Sequence, residues 1–438
     1  MTDVLWNAPY RSGPLDAFIR VPGSKSLTAR WLVLAALADT ATVLVEPLHS
    51  RDTRIMRDAL CQLGAQLDVE PSELRVHSPV GGLDGDVDIH AGLAGTVMRF
   101  IPPVAALHRG DVHLTGDDAA LVRPMAPIIG ALRSLGIEVT ERGEPGHLPI
   151  TIHGRGELPG GTVDIDASAS SQFVSALLLA GARASAPIRI RHIGEHLPSM
   201  PHIEMTIEVL RRAGIRAEQS TDAHGAPTWT VHPGTIRLGT LTVEPDLSNA
   251  GPFLAAAMVA GGTVAIADWP EATTQPGDLY RDLLTRMGGT VEQFEDEVAV
   301  TGTGRIHGID TDLSACGELT PTIAALAALA DSPSHLRGIG HLRGHETDRI
   351  RALATELRKV GATCVEHEDS LEIEPGPLRA SVFETYEDHR MATAGAIIGL
   401  AVPGMKVVDI QTTRKTLPDF EGMWLSMLHT DSPAGQTW

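Results

Sequence analysis

The chain has 438 residues, enough on length alone for about two or three domains with ample core. Its formal net charge is −20, from 35 Lys and Arg against 55 Asp and Glu, which argues against nucleic acid or an anionic membrane as the main partner. Three cysteines (Cys61, Cys316, Cys364) are too few and too scattered for a disulfide framework or a thiolate metal site.

In chain order, six stretches look like copies of one another. They begin at Ser24 (SKSLTARWLVLAALA), Ala94 (AGTVMRFIPPVAAL), Ser170 (SSQFVSALLLAGA), Ser248 (SNAGPFLAAAMVAG), Cys316 (CGELTPTIAALAALA) and Asp388 (DHRMATAGAIIGLAV). Each is a small or polar turn running into an Ala/Leu-rich helix, and they recur every roughly 70–80 residues, so each repeat is a supersecondary unit. The polar residue stands where an N-cap belongs. A helix start offers unpaired N–H groups and a partial positive charge, which suits an anion. Six such starts, several with Lys, Arg or Ser, point to a cleft built to hold anions through local clusters, because the overall field repels them.

Short β-branched or alternating runs at 162–166, 187–191, 240–244 and 262–266 read as strands between the helices. Second, amphipathic helices begin near Pro127, Ile203, Leu279 and Asp348, and each closes on Gly. One unit is therefore strand, helix, strand, helix, strand, about six times over. Units one to three fill 22–243 and units four to six fill 244–438, giving two pseudo-symmetric α/β domains with a cleft between them. The tail after Leu428 is polar and expected to fray. The apolar region 391–408 is broken by Thr393, Gly395, Gly399 and Pro403, so it is not a membrane span. No basic, then apolar, leader opens the chain, and a cytoplasmic protein is expected.

Pro22-Gly-Ser-Lys-Ser26, followed by Arg30, sets a lysine in a Gly/Ser turn at a helix start. It is not the G-x-x-x-x-G-K-[ST] phosphate loop, and read alone it is a capped turn with a solvated lysine. Ser170, Ser171 and Gln172 stack two hydroxyls and an amide at another start, with a plain N-cap as the alternative. Arg123-Pro-Met opens a helix with an early proline. A cation is misplaced at a helix start, so Arg123 points to a ligand. His345-Glu-Thr-Asp-Arg349 is dense in charge, and a capping box around Thr347 and Asp348 explains neither Glu346 nor Arg349. His192-Ile-Gly-Glu-His196 fits the H-x-x-E-H zinc spacing, yet that chemistry needs a helix. Here a strand precedes it, Gly194 lies inside it and Leu197-Pro198 follows, so no metal is expected. Gly302, Gly304 and Gly308 do not make a G-x-G-x-x-G, and a dinucleotide unit is rejected.

With these residues assembled, the chain resembles the 5-enolpyruvylshikimate-3-phosphate (EPSP) synthase family over nearly its whole length. The resemblance rests on V-P-G-S-K-S-x-x-x-R at 21–30, A-G-T-x-x-R at 94–99, R-P-M from Arg123, S-S-Q-F from Ser170, P-S from Pro198, E-T-D-R from Glu346, D-H-R from Asp388 and K-T from Lys415. It implies two domains, each of three βαβαββ units around a pseudo-threefold axis, in the inside-out, barrel-like α/β fold of enolpyruvyl transferases. It also implies that residues 1–21 join 244–438 while 22–243 form the other domain. The family reaction moves the enolpyruvyl group of phosphoenolpyruvate to the 5-hydroxyl of shikimate 3-phosphate and releases phosphate, on the way to chorismate and the aromatic amino acids.

By the same resemblance, Lys25, Ser26, Arg30, Ser170, Ser171, Gln172, Ser199, Glu318 and His345 are expected to hold shikimate 3-phosphate. Lys25, Gly95, Arg123, Gln172, Arg349, Arg390 and Lys415 are expected to hold phosphoenolpyruvate, in the pocket that the inhibitor glyphosate occupies. Arginine forks match phosphate and carboxylate bidentately. Glu318 is the expected base at the 5-hydroxyl, and Lys25 and Glu346 are candidate acids at the methylene; Glu346 would need a raised pKa for that role. No cofactor is implied, the partners are the two small substrates, and a monomer is expected. The chain departs from the common pattern at Glu318 (usually Asp), His345 (usually Lys), His341, His202 and Leu93. Two rivals are the sister transferase acting on UDP-N-acetylglucosamine, which typically carries a reactive loop cysteine, and a non-catalytic repeat-built binding module. Cys61 lies ahead of the A-G-T helix rather than on a later loop, and a binding module leaves Glu318 and Glu346 without a purpose.

Overall fold

Strand, helix, strand, helix and a closing strand pair recur along the chain in the computed structural model, which describes residues 4–78 and 84–429. Five four-stranded sheets and one three-stranded sheet result among the described residues. The third repeat is representative. Gly161–Ile165 runs parallel to Ile188–His192, which pairs antiparallel with Pro227–Val231, and Ala217–Thr221 takes the edge. The residue patterns by themselves count one closing strand; the family resemblance implies two, and the structure has two. The extra strands Gln66–Val69, Ala217–Thr221 and Thr290–Phe294 are largely exposed, so they carry no apolar alternation that would reveal them.

The first helix of each repeat is buried on all sides: Lys25–Ala36, Gly95–Ala105, Gln172–Gly181, Leu247–Ala260, Thr320–Ala328 and His389–Ala401. Their Ala-rich composition follows, because a helix apolar all round belongs in a core. Close approach also needs glycine: a Cβ on Gly251 would lie 2.2 Å from the Tyr280 ring. The second helices are two-faced, and Arg51–Gln62 and Arg349–Val360 bury only one stripe each. The expected Gly stops stand just past four of them, with φ of 82° at Gly136, 81° at Gly214, 98° at Gly288 and 110° at Gly361.

The chain divides into two compact units, Gly23–Val243 and Met1–Pro22 with Glu244–Trp438. Leu15–Ile19 pairs parallel with the strand Gly262–Ala267, although it precedes the helix Lys25–Ala36 in the chain. Thr240–Thr242 pairs parallel with Thr42–Val45, although it precedes the helix Leu247–Ala260. Each unit therefore takes one first strand from the segment leading into the other. The three-stranded sheet is completed by Leu5–Asn7, antiparallel to Lys406–Val408. Among the described residues no helix is long and apolar enough to cross a membrane. The tail from residue 430 lies outside the described residues.

Candidate active site

In the unit Gly23–Val243, three buried helices present their first turns to one another. Arg30 of the first helix stacks over the Phe100 ring of the second at 5.5 Å, and Arg99 of the second stacks over Phe173 of the third at 5.7 Å. These pairs sit within two turns of each helix start, so the three N-termini lie at one end. Ser24 caps the first helix, its hydroxyl accepting from the Leu27 amide. Lys25 follows, with Nζ 3.8 Å from the buried carboxylate of Asp52. Arg30 is 1% exposed. It donates from Nε to Thr206 Oγ1, from Nη1 to the Ser26 carbonyl, and from Nη2 to Ser175 Oγ and the His202 carbonyl. Four of its five N–H groups thus serve the unit itself, leaving at most one for a ligand. Burial pushes its pKa down to about 9.

Gly95 opens the second helix behind Ala94, which offers no side-chain cap. A Cβ built on Gly95 would lie 3.0 Å from Arg99 Nη1 and 3.2 Å from Arg123 Nη2, so two guanidinium groups converge on one helix start. Helix starts favour anions, and two arginines gathered there make an anion-binding corner. Arg123 does not open a helix as the sequence suggests. It lies in the turn after Asp118–Leu121, and the next helix is Ala126–Ser134. Its Nη1 donates to the Leu93 carbonyl. At the third start Ser170 does the capping, its hydroxyl accepting from the Gln172 amide, and the Ser171 side chain makes no cap bond. The Gln172 Oε1 atom is buried without a partner. Ser199 precedes Met200–Arg212 at φ 55°, a left-handed conformation that costs a serine strain and recurs at functional sites.

The unit containing Glu244–Trp438 gathers a denser cluster. Asp388 has no exposed surface; it caps His389–Ala401 through the Arg390 amide and accepts Arg349 through both oxygens, at 2.7 and 3.2 Å. Arg349, 3% exposed, also donates from Nη2 to Glu346 Oε2 at 2.9 Å and from Nη1 to His345 Nδ1 at 3.1 Å. His345 accepts there, so that ring nitrogen carries no proton. Lys415 Nζ takes the other Glu346 oxygen at 2.6 Å. Burial alone lowers the Arg349 pKa, but Asp388 and then Glu346 outweigh it and the net direction is upward. Arg390 donates to the Ser248 carbonyl at 2.7 Å, which ties the sixth helix start to the fourth. The fourth helix begins two residues earlier than its sequence signal, with Asp246 rather than Ser248 as cap.

Glu318 lies in the 3-10 turn Gly317–Leu319, just ahead of Thr320–Ala328 rather than on the helix itself. Its charge is felt at Tyr280, His341 and Arg349. His341 packs against Gly317, whose Cβ would lie 2.3 Å from the ring. Burial lowers the His341 pKa more than Glu318 raises it, so this imidazole stays neutral at neutral pH. His192 ends a strand and its Nδ1 accepts the Ala167 amide. Among the described residues no group of three or more His, Cys, Asp or Glu side chains could hold a metal ion.

A family model described as EPSP synthase (3-phosphoshikimate 1-carboxyvinyltransferase) matches residues 9–424. The chain belongs to the EPSP synthase family. It is 53% identical over 440 residues to the 3-phosphoshikimate 1-carboxyvinyltransferase of Kocuria rhizophila, covering 98% of each protein. It is 47% identical to that of Bifidobacterium longum, covering 97% of this chain and 98% of the relative. In fold it is similar to an EPSP synthase from Acinetobacter baumannii, with a TM-score of 0.78 at 23% identity over 97% of this chain and 98% of that one. The enolpyruvyl transferase NikO from Streptomyces tendae gives a TM-score of 0.75 at 18% identity, covering 95% and 96%.

Two residues of this EPSP synthase family chain emerge only from the geometry. In the sequence Arg99 only closes the A-G-T-x-x-R motif; four residues after Gly95, it stands over the same helix start. Asp388 read only as the head of D-H-R, whereas it is the carboxylate on which Arg349 rests. Its signal was an acid at an N-cap position, which also describes any ordinary cap.

Proposed function

We propose that this chain transfers the enolpyruvyl group of phosphoenolpyruvate to the 5-hydroxyl of shikimate 3-phosphate, releasing phosphate. The observation that carries the reading is the buried pair Lys415 and Arg349 on Glu346 and Asp388, with the buried Arg390 two residues on, in a chain of this family. A buried ion network is a poor source of stability. Its cations suit a small substrate that bears both phosphate and carboxylate. Lys25, Gly95, Arg123, Gln172, Arg349, Arg390 and Lys415 are the proposed phosphoenolpyruvate contacts. Lys25, Ser26, Ser170, Ser171, Gln172, Ser199, Glu318 and His345 are the proposed shikimate 3-phosphate contacts, joined by the one remaining N–H of Arg30.

In the proposed reaction Glu318 takes the 5-hydroxyl proton while an acid protonates the methylene of phosphoenolpyruvate. The oxygen then bonds to C2, phosphate leaves, and loss of a methyl proton restores the enol ether. Incubation with both substrates should release phosphate stoichiometrically with the enolpyruvyl ether product, and omitting either substrate should abolish release. Release that depends on UDP-N-acetylglucosamine instead would overturn the assignment.

The thiols give a second check. Burial first, then Asp58, raises the Cys61 pKa; burial lifts Cys364 to about 11 and Cys316 in the same direction. Few thiolates therefore exist at neutral pH, and thiolates are the nucleophiles. Iodoacetamide on the native enzyme at pH 7 should leave turnover intact; inactivation that maps to Cys61 would point to the sister transferase.

Gly95 gives a third. An added methyl meets the far ends of two arginines at 3.0–3.4 Å, which can yield by a few tenths of an ångström. Gly95→Ala should therefore keep the fold and shift the Arg99 and Arg123 guanidinium groups. Inhibitor and substrate differ in shape at that corner, so the inhibition constant for glyphosate should rise more than the KM for phosphoenolpyruvate. Equal shifts in both would remove Gly95 from the pocket.

A further inference from the structure

The outer helix Arg349–Val360 grips one short segment, 384–388, at two points. Arg349 and Glu356 are seven residues apart, about two turns, and so share a face of that helix. Arg349 holds Asp388 at one end of the segment. Glu356 holds the other end. Its Oε1 accepts the Tyr386 hydroxyl at 2.7 Å, and its Oε2 accepts the Glu384 amide at 3.1 Å. Lys359 Nζ donates to both oxygens, at 2.8 and 3.0 Å.

Glu356 has no exposed surface, whereas Tyr386 is 39% exposed. A fully buried carboxylate persists only when its oxygens are satisfied, and here two of its three donor groups come from the segment rather than from its own helix. The segment needs such a hold. Tyr386 and Glu387 have φ of 53° and 56°, two successive non-glycine residues in the left-handed region. Strain of that kind survives only where surrounding contacts over-determine it. The next residue is Asp388, which both carries Arg349 and caps the helix that begins with His389 and Arg390. Burial, and then the bond to Glu356, raises the Tyr386 pKa, so the phenol stays a hydrogen-bond donor throughout the working pH range.

We propose that Glu356 is a positioning residue for phosphoenolpyruvate binding: through Tyr386 and the Glu384 amide it sets the strained turn that places Asp388, and through Asp388 it places Arg349 and Arg390. This rests on the reading of Arg349 and Arg390 as phosphoenolpyruvate contacts. Neither Glu356 nor Tyr386 touches substrate in this scheme, so the predicted effect is a selective loss of one substrate's affinity.

The test is steady-state kinetics with each substrate varied, together with thermal unfolding, on the full chain. Tyr386→Phe removes one hydrogen bond at a half-exposed ring and leaves the backbone intact. It should raise the phosphoenolpyruvate KM roughly three- to tenfold, with kcat and the shikimate 3-phosphate KM within about twofold of the parent. Glu356→Gln should do the same more strongly, because its amide NH2 then faces the Lys359 ammonium and either the Tyr386 hydroxyl or the Glu384 amide. Lys359→Met touches the same carboxylate but not the segment, and supplies the signature of a merely structural role: a lower unfolding temperature with both KM values unmoved. Tyr386→Phe behaving like Lys359→Met, or raising both KM values in parallel, overturns the proposal. A parent enzyme that turns over neither substrate would instead overturn the proposed function, so the two failures are distinct.

Discussion

Glu318→Gln is expected to lower kcat by about 10²–10⁴, the usual cost of removing a general base. Glu318 sits in the 3-10 turn that leads into Thr320–Ala328, where the helix start favours an anion, and Arg349 lies within its electrostatic reach. A carboxylate there can take the 5-hydroxyl proton as the oxygen attacks; an amide of the same shape cannot. The amide can still hydrogen-bond the hydroxyl, so shikimate 3-phosphate affinity should change by less than roughly tenfold, about 1.4 kcal/mol. The adjacent His341 is half-buried and neutral, and its ring packs closely on Gly317, which leaves this turn little room to shift. Glu318→Asp should therefore fall about a methylene short and also be impaired. Phosphate release at near-normal kcat by the Gln variant would move the base to Glu346.

The second large effect separates the two candidate acids. Glu346 already accepts Lys415 on one oxygen and Arg349 on the other, at 2.6 and 2.9 Å. Each oxygen thus accepts from a cation, an arrangement that favours the acceptor-only, ionised carboxylate. A donor role at the methylene calls for the opposite, a neutral acid, so Lys25 is the proposed proton donor. Lys25→Met should lower kcat by about 10²–10⁴. Glu346→Gln should lower kcat by less than about tenfold and act chiefly on the phosphoenolpyruvate KM, because it disturbs Lys415 and Arg349 rather than the proton transfer. Measured by single-turnover product formation, the reverse order of damage would make Glu346 the acid.

Much of the architecture was legible because the six buried helices announce themselves. Each is an Ala-rich run behind a small or polar turn, and burial on every side demands that composition. The glycine stops at 136, 214, 288 and 361 were legible for an equally local reason, a left-handed backbone. The outer hairpin strands were not, because Gln66–Val69 and Thr290–Phe294 face water on most positions and their place is set by pairing with Glu73–Ser78 and Glu297–Gly302.

The candidate site divides along the same line. Sequence alone determined which residue types crowd the helix starts: the Lys25 turn, the serines at 170 and 171, Glu346 to Arg349, and the D-H-R run. Those are local signals, carried within a few residues of an N-cap. Only the tertiary structure decided their partners. Arg30, expected to hold shikimate 3-phosphate, spends four of its N–H groups on Ser26, Ser175, His202 and Thr206, the last three more than a hundred residues away in the chain. Arg99 joins Arg123 at Gly95, and Asp388 becomes the carboxylate under Arg349. A buried charge must find its counter-charge or donor wherever packing puts one, and that partner is chosen by the meeting of helices distant in sequence, which no local pattern records.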